Sequence, residues 1–364
     1  MKIKSETYSE IVDQEQPNNG QNCGICNHQK SSSQYQVEGI DIEYCHNCEV
    51  HFSTYDPHKS QVIYQEDYYS GVDNGYGDYA LEIKTHKATF SRRLKFAEAY
   101  LPDKGILLDY GCAIGHLCMV SKEMGWKTFG SDFSNFGAET TKADFGVETF
   151  VSDVTHPPIK DNSIDLVCMY DLIEHIPDPG KALRNVSKII KPEGYVHLVT
   201  PDVGSISRYL LGNSWFHFKP REHLFFFNKK TMKSLLEKNG FEIVSIKTSV
   251  SYMTIEDVFK RFEKYYGSSV NKLVMGMLKL LSIDQIVIPL SIGNLEAFAK
   301  PIKNTNSPSL VIEKNEEVNL TDILKCNECG TGSFDSNYIC QNCGASFSVD
   351  SGVPDMKAPL KKVA

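Results

Sequence analysis

The chain lacks several features, and each absence removes a class of protein. Residues 1–20, MKIKSETYSEIVDQEQPNNG, contain no apolar core, so neither a signal peptide nor a membrane anchor is expected there. Basic residues are not in excess: 38 Lys plus Arg face 46 Asp plus Glu, a formal charge of −8. A strongly basic nucleic-acid binder needs a positive field that this balance does not provide. No dense patch of Lys/Arg interleaved with aromatics occurs either. The apolar segment 251–290 is broken by Lys272, Lys279 and Asp284, so a bilayer-spanning helix is not expected. There is no long internal repeat.

What is present reads as globular. Hydrophobic residues make up 41% and charged residues 23%, which excludes a wholly disordered chain. At roughly 150 residues per domain, a length of 364 predicts two or three domains.

Cysteine is abundant. Of 11 cysteines, eight form four CxxC pairs: Cys23/Cys26, Cys45/Cys48, Cys326/Cys329 and Cys340/Cys343. The absence of a signal peptide points to a reducing, cytoplasmic compartment, where disulfides are a poor use for them. Two CxxC pairs a hairpin-length apart suit tetrahedral zinc instead. Four thiolates leave no open position for water, so two structural Zn²⁺ ions are expected and no catalytic one. His28 and His46 stand nearby but are superfluous to such a site. Modules this small should draw much of their stability from the metal. Cys112, Cys118 and Cys168 sit among apolar residues and read as small core side chains.

The pattern along the chain predicts a disordered leader at 1–20, a first cysteine module at 21–60 and a connector at 61–83. Within that module, QYQVEGIDIEY alternates and suggests a short strand pair. The connector is rich in tyrosine (Tyr64, Tyr68, Tyr69, Tyr76, Tyr79), too aromatic for a passive linker. From 84 to 300, helical spacing and apolar runs alternate. Strands are expected at 105–110, 127–132, 147–153, 164–171, 195–200, 241–248 and 294–300. Helices are expected at 84–101, 117–124, 134–145, 179–191 and 229–239. Near-continuous apolar strands separated by helices imply a buried parallel sheet with helices on both faces. Residues 251–290 interrupt this as an amphipathic insertion, read as a lid or dimer helix; the sharper reading is a surface that rests on a membrane. Residues 301–320 look like a linker, and 321–358 hold the second cysteine set.

The densest chemistry is in Leu107-Leu108-Asp109-Tyr110-Gly111-Cys112-Ala113-Ile114-Gly115-His116-Leu117. A buried strand ends at an acid, a glycine loop follows, and a helix begins. Glycine lets the backbone turn tightly and a ligand come close; the helix N-terminus offers free N–H groups. A nucleotide dehydrogenase would carry GxGxxG here. The loop is instead D-x-G-x-x-x-G, and a carboxylate inside it would repel a pyrophosphate but suit a cationic or amino-acid ligand. The next three strands also end in acids: Asp132, Asp153 and Asp171. Taken singly, each is a helix cap or a solvated loop end. Four at successive carboxyl ends of a parallel sheet point to one ligand site.

The segment 84–300 resembles the class I S-adenosylmethionine (SAM)-dependent methyltransferases. It is similar to the group that includes ubiquinone-type O-methyltransferases and methyltransferases of surface-polysaccharide gene clusters. The matching stretches are LLDYGCAIG, GSDFS, SDVTHPPIKDNSIDLVCMYDLIEHIPDP, KPEGYVHLVTP and PREHLFFFNKKTMKSLLEKNGFEIVSI, in order across most of the core. The fold so implied is an α/β Rossmann-like class I methyltransferase sheet with helices on both faces, flanked by two small zinc ribbons. The resemblance implies that Asp109, with the Gly111–Cys112–Ala113 loop and Gly115, holds the methionine end of SAM. It implies that Asp132 binds the ribose, with Phe133 against the adenine. Asp153 would read the adenine amino group with backbone at Val154, and Tyr170 and Asp171 would border the methyl-transfer site. Ala113 departs from the family's usual glycine.

Methyl transfer is an in-line displacement, largely a matter of positioning. Transfer to a phenol or sugar hydroxyl would benefit from a base near pH 7, which histidine suits. His175, in Glu174-His175-Ile176-Pro177-Asp178-Pro179, and His223, in Arg221-Glu222-His223-Leu224, are the candidates, with Asp171 beside them. The plainer reading is that Glu174-His175 braces a loop and His223 stacks under Phe225 to Phe227. Trp215, Phe216 and Phe218 either shape the acceptor pocket or form a buried wall. An N-terminal ribbon followed by tyrosines also occurs in the polysaccharide-cluster enzymes, so Tyr68, Tyr69, Tyr76 and Tyr79 either line the acceptor pocket or pack ribbon on core. The stretch ILKCNECGTGSFDSNYICQNCGASFSVDSGVPDM is similar to small zinc-ribbon proteins that activate RNA and protein methyltransferases.

The leading expectation is a SAM-dependent methyltransferase of small-molecule or sugar acceptors, O- or C-methylating, in surface-polysaccharide or secondary-metabolite biosynthesis. A second is an RNA- or protein-modifying enzyme using its ribbons for binding. The acidic charge and the Tyr-Asp-Leu-Ile that ends the fourth strand, in place of Asn/Asp-Pro-Pro-aromatic, argue against it. A third is a non-catalytic scaffold, opposed by the intact acids. Oligomeric state is not legible.

Overall fold

The computed structural model describes residues 22–57, 59, 83–303, 318–331 and 333–360. The leader, the tyrosines of the connector and most of the 301–320 linker lie outside the described residues. The alternating stretch after the first CxxC pair forms β1 (Ser31–Val37) and β2 (Ile40–Cys45), antiparallel across a tight turn. Glu38 and Gly39 in that turn both take positive φ, 53° and 76°, as a two-residue hairpin matching strand twist requires. β3 (His51–Ser53) pairs with β2.

The α/β core begins with α1 (Ile83–Glu98) and β4 (Ile106–Tyr110), whose five residues are all buried. α2 (His116–Glu123), β5 (Lys127–Asp132), α3 (Asn135–Phe145), β6 (Glu148–Val151), β7 (Ile164–Tyr170), α4 (Pro179–Ile189) and β8 (Ile190–Pro201) follow. Asp178 caps α4 by accepting from Lys181 N–H at 2.7 Å, with Pro179 in the first turn, a placement that suits proline's fixed φ and missing donor. After α5 (Ile206–Leu211) and the two-residue β9 (Phe225–Phe226) come α6 (Lys229–Lys238) and β10 (Phe241–Thr248).

The insertion is a strand pair, β11 (Ser251–Thr254) and β12 (Val287–Leu290), closing off two helices, α7 (Ile255–Tyr266) and α8 (Ser268–Leu280). Thr254 and Asp257 cap α7 reciprocally. α8 leaves Leu273, Met277 and Leu280 exposed. No helix among the described residues is long and apolar enough to cross a membrane.

β13 (Asn294–Pro301) completes the core. β4 to β8 pair in parallel, in the order β8-β7-β4-β5-β6. β13 lies between β10 and β8 and runs antiparallel to both, so the expectation of a purely parallel sheet fails at its last strand. The reason is topological. The chain leaves β10 and makes the whole 249–293 excursion at one end of the sheet, then re-enters from that same end. A strand entered that way must run backwards. Strand order reverses between β4 and β7, so the crevice beyond their carboxyl ends is where a ligand fits.

Both cysteine modules are built into this core. β3 pairs with β9, and Cys23, Cys45, Val50 and Phe52 belong to the main hydrophobic cluster. At the far edge, α9 (Leu320–Ile323) leads into the second module, whose β14 (Ser348–Asp350) and β15 (Val353–Asp355) extend the sheet beyond β6. Met356 N–H donates to Val151 C=O at 2.8 Å.

Candidate active site

A cavity of about 700 Å³ opens above the carboxyl ends of β4, β5 and β7. Its lining brings together Asp109, Gly111, Cys112, Ala113, Asp132, Phe133, Asp153, Val154, Tyr170, Asp171, His175 and His223, residues spread over more than a hundred positions of sequence. Gly115 stands outside the lining. It is the residue before α2 at φ 85°, and a Cβ there would lie 2.6 Å from Thr141, so its smallness serves the packing of the loop on α3.

The loop is held by hydrogen bonds to its own neighbours. Gly111 has φ 82°, and a Cβ would press on Leu172 at 3.1 Å. Ala113 takes φ 48°, a left-handed conformation that costs a non-glycine residue about 1–2 kcal/mol. Its N–H donates to Asp132 Oδ2 at 2.9 Å, and its C=O accepts from Thr141 Oγ1 at 2.9 Å. The other Asp132 oxygen accepts Ser134 N–H at 2.8 Å. Asp132 therefore pins the loop as well as facing the cavity. Asp153 accepts from both the N–H and the hydroxyl of Thr155 at 2.8 Å.

Asp109 is 3% exposed. Burial, with a smaller push from the Asp132 charge, raises its carboxyl to about 7, against a partial offset from the Cys118 thiol. An acid poised there is about half ionised at neutral pH when alone and ready to ionise fully against a cation.

Asp171 sits at φ 49°, its Oδ1 accepting from Asn294 Nδ2 at 3.2 Å. Burial pushes its carboxyl up, opposed by Arg93, Arg261, His86 and Lys219. Tyr170 stacks on Phe90 with centroids 6.0 Å apart, and its hydroxyl bonds His197 Nδ1 at 2.8 Å. His197 Nε2 lies 3.3 Å from Glu296 Oε1. The Tyr170 hydroxyl is thus tied into a buried brace.

His175 and His223 meet edge to face, centroids 4.8 Å apart. His175 Nδ1 donates to Glu222 C=O and His223 Nδ1 to His217 C=O, each at 2.9 Å. A carbonyl only accepts, so these bonds place the proton on Nδ1 in both rings. Burial drives His175 down to about 4 and His223 well below its ordinary value. Both imidazoles are neutral at pH 7, but they are weaker bases than the base near pH 7 that transfer to a hydroxyl would favour. Burial also pushes the Glu174 carboxyl up; its Oε2 accepts from Thr200, while Oε1 has no hydrogen-bond partner among the described residues and lies 3.9 Å from His175 Nε2. One ligand atom from each of Glu174, His175 and His223 falls within a 4.8 Å cluster, close enough to share a proton or a cation.

Sequence reading missed Arg93, Lys219 and Asn294, all in the lining. Arg93 had a signal: Thr85, Thr89 and Arg93 recur every four residues on one face of α1, and all three are buried. Asn294 had none, because it reaches the site only through the reversed entry of β13.

Residues 83–246 match the family model described as a methyltransferase domain. This segment is a methyltransferase domain. The sheet around it is Rossmann-like, parallel in the order β8-β7-β4-β5-β6. Over 153 residues the chain is 27% identical to ubiquinone biosynthesis O-methyltransferase of Paraburkholderia phymatum, covering 40% of this chain and 63% of that protein. It is 25% identical over 124 residues to malonyl-[acyl-carrier protein] O-methyltransferase of Yersinia pestis, covering 33% and 44%. The chain thus spans less than two thirds of these relatives. Among solved structures it is similar to a SAM-dependent methyltransferase from Archaeoglobus fulgidus, at 19% identity and TM-score 0.41, over 62% of this chain and 100% of that one.

On either side of the methyltransferase domain stands a tetracysteine cluster with ligand atoms within 4.8 Å of one another. Across each cluster, sulfurs of different pairs lie 3.5 Å apart in the first module and 3.7 Å in the second. A tetrahedral ion at ~2.3 Å from each sulfur needs an edge of about 3.8 Å. All four CxxC turns are alike. Asn27, Glu49, Gly330 and Gly344 each follow a pair with positive φ and donate N–H to the first cysteine's C=O at 2.7–2.9 Å. The thiols fit a single metal ion in each cluster.

Proposed function

We propose that this chain is a SAM-dependent methyltransferase acting on a small-molecule or sugar-derived acceptor, at oxygen or carbon, in a reducing cytoplasm. One observation carries the reading: four carboxylates from the ends of β4 to β7 and a left-handed glycine loop surround a single cavity. The relatives named as O-methyltransferases favour oxygen as the acceptor atom.

The residues fit the cofactor. Asp109, buried yet ready to ionise, would hold its ammonium; Asp132 its ribose hydroxyls; Phe133 and Asp153 its adenine. SAM, when bound, supplies a methyl activated on a sulfonium. The chain's part is to align an acceptor against it and exclude water. Neutral His175 or His223, with its Nδ1–H donated to a carbonyl, has Nε2 to take a proton from an acceptor hydroxyl. Glu174 beside them would stabilise the imidazolium. The cysteine clusters would each hold one structural Zn²⁺.

The test is calorimetric titration of the purified chain with SAM and with S-adenosylhomocysteine (SAH). Micromolar binding of both supports the reading. A folded, zinc-loaded protein that binds neither would overturn it and leave a scaffold. Metal analysis should return two zinc ions per chain.

A further inference from the structure

We propose that Lys357, delivered by the C-terminal cysteine module, is a positioning residue for the adenosyl end of the cofactor pocket. This rests on the cofactor reading above. Lys357 Nζ donates to Phe133 C=O at 3.2 Å and lies 4.8 Å from the centroid of the Phe133 ring. Phe133 lines the cavity directly after Asp132 and is 42% exposed. One ammonium thus contacts both the backbone and the ring of the residue that would meet the adenine. Burial raises the Asp132 carboxyl; the backbone N–H groups of Ser134, Ala113 and Phe133 and, last, the Lys357 charge pull it partly back.

A lysine over an exposed aromatic is common and by itself unremarkable in energy. What sets this one apart is how it is held. Asp355 accepts from Lys357 N–H at 3.0 Å and flanks its ammonium at 3.7 Å. Met356 N–H is fixed on Val151, and Met356 C=O accepts from Asn327 Nδ2 at 3.1 Å. Asn327 stands between Cys326 and Cys329, inside a metal-binding turn. Val353 packs on Ala138 and Val151, and Lys142 Nζ donates to Gly352 C=O. A continuous set of contacts therefore runs from the cysteine cluster through β15 to the ring. The methyltransferase core contributes the aromatic platform, and the second module contributes the residue that holds it.

The experiment is titration of the full chain with SAH and with adenosine, for wild type, Lys357→Ala and Lys357→Arg. Lys357→Ala should weaken both ligands by the same factor, about three- to tenfold for loss of a cation–π contact and its hydrogen bond. Zinc content and Tm should not change. Lys357→Arg, which keeps a cation over the ring, should restore most of the affinity. In a Phe133→Leu background only the backbone hydrogen bond is left to lose, so Lys357→Ala should have a smaller effect there than in the wild type. Wild-type affinity in Lys357→Ala, an arginine variant as weak as alanine, or additive losses in the double variant would each overturn the proposal while leaving the cofactor site standing. Failure of the wild type to bind either ligand would overturn both.

Discussion

The two cysteine modules use one CxxC turn four times, yet they attach to opposite sides of the site. The first lies across the 220–227 loop. β3 pairs with β9, Ser53 N–H donates to Leu224 C=O at 2.9 Å, and Ser53 Oγ donates to Pro220 C=O at 2.6 Å. His223 sits inside that span. A Cβ on Gly24, within the first CxxC, would lie 2.8 Å from Phe225, so the cysteine turn rests directly on the same loop. The second module instead continues the sheet past β6 and reaches Phe133. Identical cysteine turns thus support different halves of one cavity, and the difference comes from which strand each module pairs with.

The strongest way to break this comparison is to disable one module at a time. Cys45→Ser should cut turnover by about a hundredfold or more, because a structural metal can supply on the order of 10 kcal/mol of a small module's folding. Its SAH affinity should stay within a few-fold of wild type. Cys340→Ser should do the reverse, weakening SAH binding while the acceptor KM of the residual activity holds. Kinetics on acceptor and cofactor, beside zinc content, decide it; matching losses in both variants would erase the distinction.

Asp109→Asn comes next, and it sharpens what the cofactor half does. A charged hydrogen bond contributes roughly 1.5–3 kcal/mol, so SAH should bind ten- to a hundredfold more weakly. The pH dependence follows from the raised carboxyl, at about 7. The folded, unliganded protein prefers the neutral acid, whereas the ligand's ammonium prefers the anion. Affinity should therefore rise with pH up to about 7 and level off, falling about tenfold per unit below. Asp109→Asn should lose that slope. For folding the sign is opposite: the raised carboxyl stabilises the unliganded fold below the unfolded-state value, and that contribution is lost as pH climbs through 7. A pH-independent SAH affinity in the wild type would remove Asp109 from ammonium binding.

On the acceptor half, His175→Ala and His223→Ala should each lower kcat about 10²–10⁴-fold if that ring is the base, with SAH binding retained. Burial lowers both imidazoles, His175 to about 4. The pH–rate profile should therefore show no histidine limb near 6.5. Because the unfolded rings bind protons first, these residues also make the fold lose stability as pH drops from 6.5 toward 4. A limb near 6.5 that vanishes in one variant would mean that its ring is solvated in the working enzyme.

How far the sequence could be read depended on the range of the interactions involved. Asp109 was legible because its buried strand announces itself as an apolar run, Ile106-Leu107-Leu108, with the acid as the first charge after it. The CxxC turns were legible because their ligands are local. Arg93 was half legible, through the four-residue spacing on α1. The direction of β13, and with it Asn294, was not, since strand pairing is set by where the chain re-enters the sheet. Nor was the attachment of either module: one parallel register contact, Asp355 beside Val151, settles the second, and no local pattern encodes it. The titration of His175 was misjudged for the same reason, because burial is a property of the assembled loop.

The smallest expected effect tests whether the loop between the two halves stores strain. Ala113 holds φ 48° with both its N–H and its C=O committed, to Asp132 and to Thr141. Glycine would accept that conformation without a Cβ penalty, but its freer unfolded chain offsets part of the gain. Ala113→Gly should therefore raise stability by no more than about 1 kcal/mol, seen as a Tm increase of a few degrees or less. The two hydrogen bonds fix the loop independently of the side chain, so SAH affinity should change less than threefold, within about 0.7 kcal/mol. A lower Tm would show that the alanine methyl contributes packing that outweighs its backbone cost. A large gain in affinity would show instead that the methyl stands in the path of the ligand, and the cavity side of the loop would then be the place where this chain limits its own cofactor binding.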